Sequence, residues 1–307
     1  MNKYLRIGIS STIGWVLLAI IGPWYLPEPV TSENIILQID GQTDVAPIGP
    51  TEEYWFGRDI RGRNQLTLML LGLKFTLLTV AIIGILRQVL GSALGIIVGM
   101  SKKPKSPIIQ TGSSTFGFLG LLPAFLITYC SLLGFIGEER EIAPYIWTIF
   151  FIQVLILSLF GIAPIAARAQ IQTYQICSQP YVEASKMLGA SRFGVFRRHI
   201  SPAIRDSFWL NCLSEMLLVL QLVGQLSLFY LFIGGTKYIP EGNEFLSISF
   251  EWLGLIGQNR DWFIIKPETV IVPVVSYLLL STTLFFLQKG LEVRLKAKEQ
   301  QMYGSLR

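Results

Sequence analysis

Charged side chains are scarce in this sequence. Only 15% of its 307 residues are Asp, Glu, Lys or Arg, whereas a soluble domain usually carries about a quarter. Hydrophobic residues make up 51% of the chain, and its mean hydropathy is +0.53. A chain so poor in surface-forming side chains is typical of a protein whose surface faces lipid. The composition therefore argues against an ordinary soluble domain.

Cysteine and histidine are scarce as well. The three cysteines, Cys130, Cys177 and Cys212, form no CxxC pair and no even set, which argues against a disulfide framework and a zinc site. His199 is the single histidine, which argues against a catalytic centre based on histidine. The sequence also contains no Walker motif, GxGxxG fingerprint or nucleophile constellation. We therefore predict no catalytic residue and no metal site in this chain.

Long apolar runs are abundant. A membrane-crossing helix needs about 20 mainly apolar residues. We predict six such spans, which lie within Ile7–Leu26, Leu66–Met100, Ile108–Ile136, Ile142–Ala167, Ala203–Gly235 and Val270–Leu287. The first run follows Lys3 and Arg6 as in a signal peptide, but no small-residue cleavage site follows it. We expect this span to be retained, and the predicted class is an all-α integral membrane protein with six transmembrane helices.

The segments between these runs differ in charge. One set, formed by the N-terminus, 101–107, 168–206 and the C-terminal tail, carries 16 basic residues. The other set, formed by 27–65, 136–144 and 236–268, carries 7 basic and 15 acidic residues. Because loops rich in Lys and Arg stay in the cytoplasm, we predict that both termini are cytoplasmic. The formal net charge of +5 then reflects topology, and nucleic-acid binding is not needed to explain it.

One charged segment stands apart, Tyr181–Pro202, which reads YVEASKMLGASRFGVFRRHISP. Its charges exclude burial in lipid, and the charge distribution places it in the cytoplasm. Val182–Leu188 is long enough for two helical turns, and Gly189 is suited to end that helix as a C-cap. Pro202 is suited to start the fifth span, where its missing N–H costs nothing. The segment therefore predicts a short cytoplasmic helix with a defined end.

Within this segment, Glu183-Ala184-Ser185, Gly189 and Pro202 resemble the cytoplasmic EAA loop of permeases in binding-protein-dependent ABC importers. The run YVEASKMLGAS followed by HISP is similar to the dipeptide, oligopeptide and nickel importer group. The stretches FGRD at 56–59 and GLKFTL at 72–77 agree with that group, and the resemblance runs from about residue 54 to residue 295. The chain departs from the group at Ser185, where alanine is usual, and at Ser201, where leucine is usual.

The resemblance implies a type I ABC importer permease fold with a cytoplasmic EAA coupling helix. The implied parts are an N-terminal transmembrane helix at 1–26, an extracytoplasmic segment at 27–65, a five-helix permease core at 66–290 and a cytoplasmic tail at 291–307. It assigns ATPase coupling to Glu183, Ala184, Ser185, Gly189 and Pro202.

The resemblance also implies a function and partners. The chain would form half of the translocation pathway for a small solute, with short peptides favoured and nickel or a metal chelate next, as a multi-pass protein of the bacterial cytoplasmic membrane. Its partners would be a second, homologous permease, two ATP-binding subunits and an extracytoplasmic solute-binding protein. ATP and Mg would be bound by those subunits, so no cofactor is expected in this chain. The alternative is a stand-alone secondary transporter or channel, which would need an ion-coupling site of its own.

Two ionisable residues lie well inside predicted spans, away from their ends: Arg87 in the second and Glu215 in the fifth. Each would cost at least ~2.5–3.5 kcal/mol if left unpaired near the bilayer centre. We therefore expect Arg87 and Glu215 to pair or to share a central cavity, and we treat both as pathway residues. Two alternatives remain open: each residue faces water or the partner chain separately, or Arg87 faces the carboxylate of a peptide.

Glycines recur in the second span at Gly91, Gly95 and Gly99, on one face of a helix. Small residues at this spacing permit the close approach of a second helix. We expect that helix to belong to the same chain, with a seam between two permease chains as the alternative.

The segments assigned to the external side carry one charged motif and several aromatic residues. Gly57-Arg58-Asp59 is interpreted as a docking or gate-packing feature. The aromatic residues are Tyr238, Trp252, Trp262 and Phe263. Because Trp and Tyr are enriched at membrane–water interfaces, they are interpreted as interfacial anchors, with contact to a solute-binding protein as the alternative.

Overall fold

The structure is a computed structural model of the chain. It describes residues 2–26, 36–39, 42–52, 54–101, 136–137, 143–240 and 242–304. The predicted third span, Ile108–Ile136, lies outside the described residues apart from Ile136. The basic residues that follow the second span and the acidic turn Glu138–Glu141 also lie outside them.

The described chain is mostly helical, as predicted. Its α-helices are α1 (Lys3–Ile21), α2 (Gln65–Ser101), α3 (Ile146–Phe160), α4 (Ile162–Cys177), α5 (Pro180–Met187), α6 (Arg192–Val195), α7 (Ser201–Ser227), α8 (Trp252–Asn259) and α9 (Glu268–Gly304). Short 3₁₀ helices occupy Gly22–Tyr25, Ala143–Tyr145 and Arg260–Trp262, and a π-helical turn occupies Phe196–Ile200.

Short strands accompany the helices, and the all-α prediction did not include them. β1 (Ile36–Ile39) and β2 (Gln42–Val45) form an antiparallel pair. In a second sheet, β4 (Thr236–Ile239) lies between β3 (Ile136–Gly137), to which it is parallel, and β5 (Glu244–Ser247), to which it is antiparallel. These strands lie outside the long helices.

Among the described residues, four helices are long and apolar enough to cross a membrane. They lie at Lys3–Tyr25, Gln65–Ser101, Arg192–Ser227 and Glu268–Lys298. The bent pair α3 and α4 would add a fifth if it counts as one span. These helices correspond to five of the six predicted spans, although several boundaries differ.

The predicted fourth span, Ile142–Ala167, is two helices that meet at a bend of 43°. The cause is local. Pro164 has no N–H for the carbonyl of Phe160, four residues earlier, and the N–H of Gly161 bonds to the Ser158 carbonyl oxygen at 3.2 Å. The helical ladder is therefore interrupted at Gly161, and α4 continues beyond the predicted end of the span, as far as Cys177.

The described residues divide into two compact units. The first lies within Met1–Ala81, Leu132–Gln153 and Leu217–Gly290. The second lies within Ile82–Ser131, Val154–Met216 and Leu291–Arg307.

In the first unit, α1 packs closely against α9. A Cβ at Gly8 would lie 2.8 Å from the backbone nitrogen of Leu287, and one at Gly290 would lie 2.6 Å from that of Leu5. The Asn2 side-chain amide also donates to the Gly290 carbonyl oxygen at 2.8 Å. The two helices thus approach backbone to backbone.

Trp252 lies in the core of the first unit. Its backbone N–H donates to the Thr76 hydroxyl at 3.0 Å, and its indole N–H donates to the Met69 carbonyl oxygen at 2.9 Å. Since the side chain is only 2% exposed, its interpretation as an interfacial anchor is wrong. The anchor interpretation remains a prediction for Tyr238, Trp262 and Phe263, which are partly or well exposed.

The Gly57-Arg58-Asp59 motif is also internal. Arg63 donates from Nε and Nη2 to Oδ2 of Asp59, at 2.9 and 2.6 Å. The Arg58 guanidinium stacks over the Tyr54 ring at 3.8 Å. Because both Arg58 and Asp59 are buried, the motif packs the fold and presents no exposed charge for docking.

In the second unit, the glycine ladder of α2 faces α4. A Cβ at Gly95 would overlap the Ala166 carbonyl oxygen, and one at Gly99 would lie 2.7 Å from that of Gln170. A Cβ at Gly91 would lie 2.6 Å from Cβ of Ile165. The ladder therefore packs within the chain, which confirms the expected intramolecular contact.

Candidate coupling segment and intramembrane charge sites

The short helix α5 has a clear start. Gln179 is its N-cap residue in an extended conformation, and Pro180 follows in the first turn. Proline suits this position because the first N–H groups of a helix have no helical partner. Glu183 also lies in the first turn, where a carboxylate interacts favourably with the helix dipole.

The end of α5 is equally well defined. Gly189 has φ of +88°, its N–H bonds to the Lys186 carbonyl oxygen at 3.0 Å, and the Ala190 N–H bonds to that of Ser185 at 3.1 Å. This pair of bonds is the Schellman motif, in which glycine takes the left-handed position. Gly189 therefore ends the helix as its sequence position predicted.

One residue anchors α5 to the second unit. Val182 is fully buried and packs in a cluster with Cys177, Val195, Ile200 and Ile204. The opposite surface is open, since Met187 is 87% and Leu188 is 89% exposed. α5 is thus a short, capped helix with one buried anchor and an exposed apolar tip.

The chain after α5 enters the fifth candidate span earlier than predicted. The Ser191 hydroxyl accepts from the Gly194 N–H at 3.1 Å and caps α6, and the helical run continues from Arg192 to Ser227. Pro202 lies in the first turn of α7, which begins at Ser201, but the helical run of the candidate span begins earlier, at Arg192. It has no N–H for the Arg198 carbonyl, and the π-turn accommodates this loss because the Ser201 N–H bonds to the Phe196 carbonyl oxygen.

Arg87 is buried and bonds to a backbone carbonyl at the helix break. Its Nε and Nη2 donate to the Leu157 carbonyl oxygen at 3.0 and 2.7 Å. This oxygen lies at the C-terminal end of α3, where the carbonyl groups lack helical donors and a cation interacts favourably with the dipole. Gly161 leaves the space that the guanidinium occupies.

Glu215 has a different partner from the one expected. Its Oε1 lies 2.7 Å from Nη2 of Arg168, and the carboxylate is almost completely buried while the Arg168 side chain is 50% exposed. No ion pair joins Glu215 to Arg87 among the described residues. Arg87 instead donates to the Leu157 carbonyl oxygen, although it still interacts electrostatically with Glu215.

Arg168 is the functional candidate that the sequence analysis missed. It was counted with the basic loop 168–206, because the fourth span was expected to end at Ala167. The structure places it within α4, nine residues before Cys177. Gly161 and Pro164 were the available signal, since this pair inside an apolar run indicates a break and a second helix.

A buried carboxylate of the first unit lies outside the candidate spans. Glu251 caps α8, and its Oε2 accepts from the Leu253 N–H at 2.9 Å. Burial raises the pKa of Glu251 to about 7, although the backbone N–H groups of Gly254, Leu253 and Ile233 act in the opposite direction. Nothing in the sequence around Glu251 indicated this burial.

A comparison with known families identifies the chain. Residues 91–297 match the family described as "Binding-protein-dependent transport system inner membrane component". The chain belongs to this family. It is therefore a permease component of a binding-protein-dependent ABC transport system, a non-catalytic subunit and a multi-pass membrane protein. Membership also implies that the chain functions together with a binding protein and ATPase subunits.

Individual relatives match most of this chain. This chain is similar to the glutathione transport system permease protein GsiD of Pectobacterium atrosepticum. The two are 22% identical over 301 residues, which cover 97% of this chain and 89% of the relative. GsiD of Escherichia coli is 23% identical over 288 residues, 92% of this chain and 82% of the relative. The dipeptide transport system permease protein DppC of Bacillus subtilis is 25% identical over 206 residues, 66% of this chain and 56% of the relative.

Proposed function

We propose that this permease forms half of the translocation pathway of an ABC importer for short peptides. It pairs with a second, homologous permease, and the pair associates with two ATP-binding subunits and an extracytoplasmic solute-binding protein. ATP and Mg are bound by the ATP-binding subunits. Both termini are cytoplasmic, as the distribution of basic residues favours. The six apolar runs of the sequence favour six spans.

The observation that carries the coupling role is the construction of α5. A helix that passes movement between subunits must be rigid, firmly attached to its own chain and open to its partner. The Schellman motif at Gly189 and the buried Val182 supply the first two properties. Met187 and Leu188 supply the third, because their exposed side chains can enter a cleft of an ATPase.

The peptide cargo is supported by the relatives. Their names refer to dipeptide and glutathione transport, and glutathione is itself a tripeptide. A nickel or metal-chelate cargo has no comparable support, because the names of these relatives refer to peptides and not to metals.

Co-purification and uptake test this function together. The tagged permease is expressed with the other subunits of its transporter, purified in detergent and reconstituted in proteoliposomes with the solute-binding protein. We expect an ATPase to co-purify and labelled trialanine to accumulate only with ATP. If no ATPase associates with the chain, the importer role is wrong and a stand-alone transporter is favoured.

A double variant then tests the coupling helix. Glu183→Ala with Gly189→Val removes the first-turn carboxylate and places a branched side chain at φ of +88°, where left-handed backbone costs roughly 1–2 kcal/mol. We expect ATP hydrolysis to continue while peptide uptake is lost. Normal uptake by this variant would remove α5 from the coupling role.

A further inference from the structure

We propose that Arg168, oriented by Glu215, binds the C-terminal carboxylate of the peptide during its passage. This inference rests on the proposed peptide transport and adds a specific contact to it. It concerns a site in the second unit, formed by α4 and α7.

The exposure of Arg168 is the first argument. The residue lies within α4, nine residues before its end at Cys177, which corresponds to ~14 Å along the helix. Its side chain is nevertheless 50% exposed. A guanidinium is costly to expose to the hydrocarbon core of a membrane, so this side of α4 faces water or protein.

The neighbours of Arg168 on the same face support this orientation. Gln172 and Gln175 follow it at helical spacing, and Gln172 is partly exposed while Gln175 is exposed. By contrast, the middle of α1 exposes apolar side chains, as expected for a lipid-facing helix, among them Ile13, Val16, Leu17 and Ile20. The polar face of α4 is therefore suited to line an aqueous pathway.

The Arg168–Glu215 pair is also built to position a donor. Nη2 of Arg168 lies 2.7 Å from Oε1 of the buried Glu215, and Nε donates to the Pro164 carbonyl oxygen at 3.4 Å. Nη1 has no partner among the described residues. A guanidinium held on one edge by a buried carboxylate presents its remaining N–H groups in a fixed direction, and carboxylates are the ligands that this geometry recognises.

Arg87 does not compete for this role. It is 6% exposed, and both of its hydrogen bonds end on the Leu157 carbonyl oxygen. The peptide-carboxylate contact considered for Arg87 from the sequence is therefore assigned to Arg168.

The test compares two substrates that differ in one charge. Uptake of trialanine and of trialanine amide is measured in proteoliposomes that contain the complete transporter and its solute-binding protein. Because that protein is the same in every assay, a change in the acid-to-amide ratio of kcat/KM belongs to the permease. The variants are Arg168→Ala and the double variant Arg168→Gln/Glu215→Gln, which leaves no buried carboxylate without a partner.

We expect both variants to lower the acid-to-amide ratio about tenfold, because one charge-assisted contact with the carboxylate is lost. Arg205→Ala is the matched control, since Arg205 is an exposed arginine of α7 that pairs with Asp206 at 3.6 Å, and its ratio should stay at the wild-type value. An unchanged ratio in the double variant would overturn the inference while peptide transport stands. Failure of the wild type to carry either peptide would overturn the proposed cargo and this inference together.

Discussion

Gly161 lies directly against the guanidinium of Arg87, in the space where any other residue would place its Cβ. The two residues are 74 positions apart in the sequence but depend on each other. Arg87 donates to the carbonyl oxygen of Leu157 at the end of α3. Gly161 lies where the helix is interrupted. Arg87 thus binds the end of α3 at the bend, and Gly161 leaves the space that its side chain needs.

The Gly161–Arg87 contact predicts a non-additive pair of substitutions. Gly161→Ala should destabilise the permease by roughly 1–3 kcal/mol, because the added methyl group overlaps the guanidinium. In an Arg87→Ala background Gly161→Ala should reduce stability much less, since the guanidinium that the methyl group would overlap is absent. Thermal unfolding of the purified transporter, followed by intrinsic fluorescence, measures all four members of the cycle. Equal costs in both backgrounds would contradict the contact.

The glycine ladder gives a second prediction. Gly95→Ala should lower the unfolding temperature clearly, because the new Cβ would overlap the Ala166 carbonyl oxygen and approach Cβ of Ala169. Gly14→Ala is the matched control, since no atom lies within 4 Å of a Cβ at Gly14 and alanine is favoured over glycine within a helix. The control should be neutral or slightly stabilising. If both variants behaved alike, the close approach of α2 and α4 would be wrong.

The sequence predicted the parts of the fold that depend on local composition. Long apolar runs predicted the candidate spans near residues 66–100 and 270–287, and the left-handed Gly189 ended α5 where a glycine in that position was expected. The ladder at Gly91, Gly95 and Gly99 also indicated a close helix contact correctly. Each of these features depends on residues that lie within a few helical turns of one another in the sequence.

Features that depend on distant partners were not predictable in the same way. The partner of Glu215 is 47 residues away, and several basic residues could have reached it by sequence criteria alone. The sequence around Trp252 predicts a surface anchor, because the residues that contact it, Thr76 and Met69, lie on another helix. The burial of Glu251 has the same origin, since a carboxylate in a polar segment is ordinarily exposed.

The exposed tip of α5 gives a third prediction. The double variant Met187→Ser/Leu188→Ser should leave the unfolding temperature of the isolated permease nearly unchanged, because surface substitutions usually alter stability by less than ~0.5 kcal/mol. It should weaken the retention of the ATPase during purification, since the apolar contact surface is lost. Quantitative pull-down of the ATP-binding subunits measures this effect.

Val182→Ala separates this interface effect from folding. Val182 is fully buried in the cluster that holds α5, so its truncation should cost roughly 1–3 kcal/mol of stability through lost packing. The Met187/Leu188 double variant should therefore lose ATPase retention at an unchanged unfolding temperature. Val182→Ala should instead lower the unfolding temperature. Full ATPase retention by the Met187/Leu188 double variant would exclude the tip of α5 from the interface.

Glu251 predicts a pH dependence with a definite sign. Its pKa is raised from 4.5 to about 7 in the folded protein because the carboxyl group is buried, so folding favours the protonated form. The free energy of unfolding should therefore be greatest at low pH, fall as the pH rises from about 4.5 to about 7, and level off above that range. The total change is about 3 kcal/mol. Unfolding temperatures between pH 5 and pH 8 measure this dependence.

Glu251→Gln should remove most of this dependence, because the amide is neutral throughout the range and can still accept from the Leu253 N–H. The variant should be at least as stable as the wild type at pH 8, where the wild type holds a buried charge. Glu183→Gln is the control, since Glu183 is exposed on α5 and its replacement should leave the wild-type slope intact. An identical slope in the Glu251→Gln variant would show that other groups cause the pH dependence.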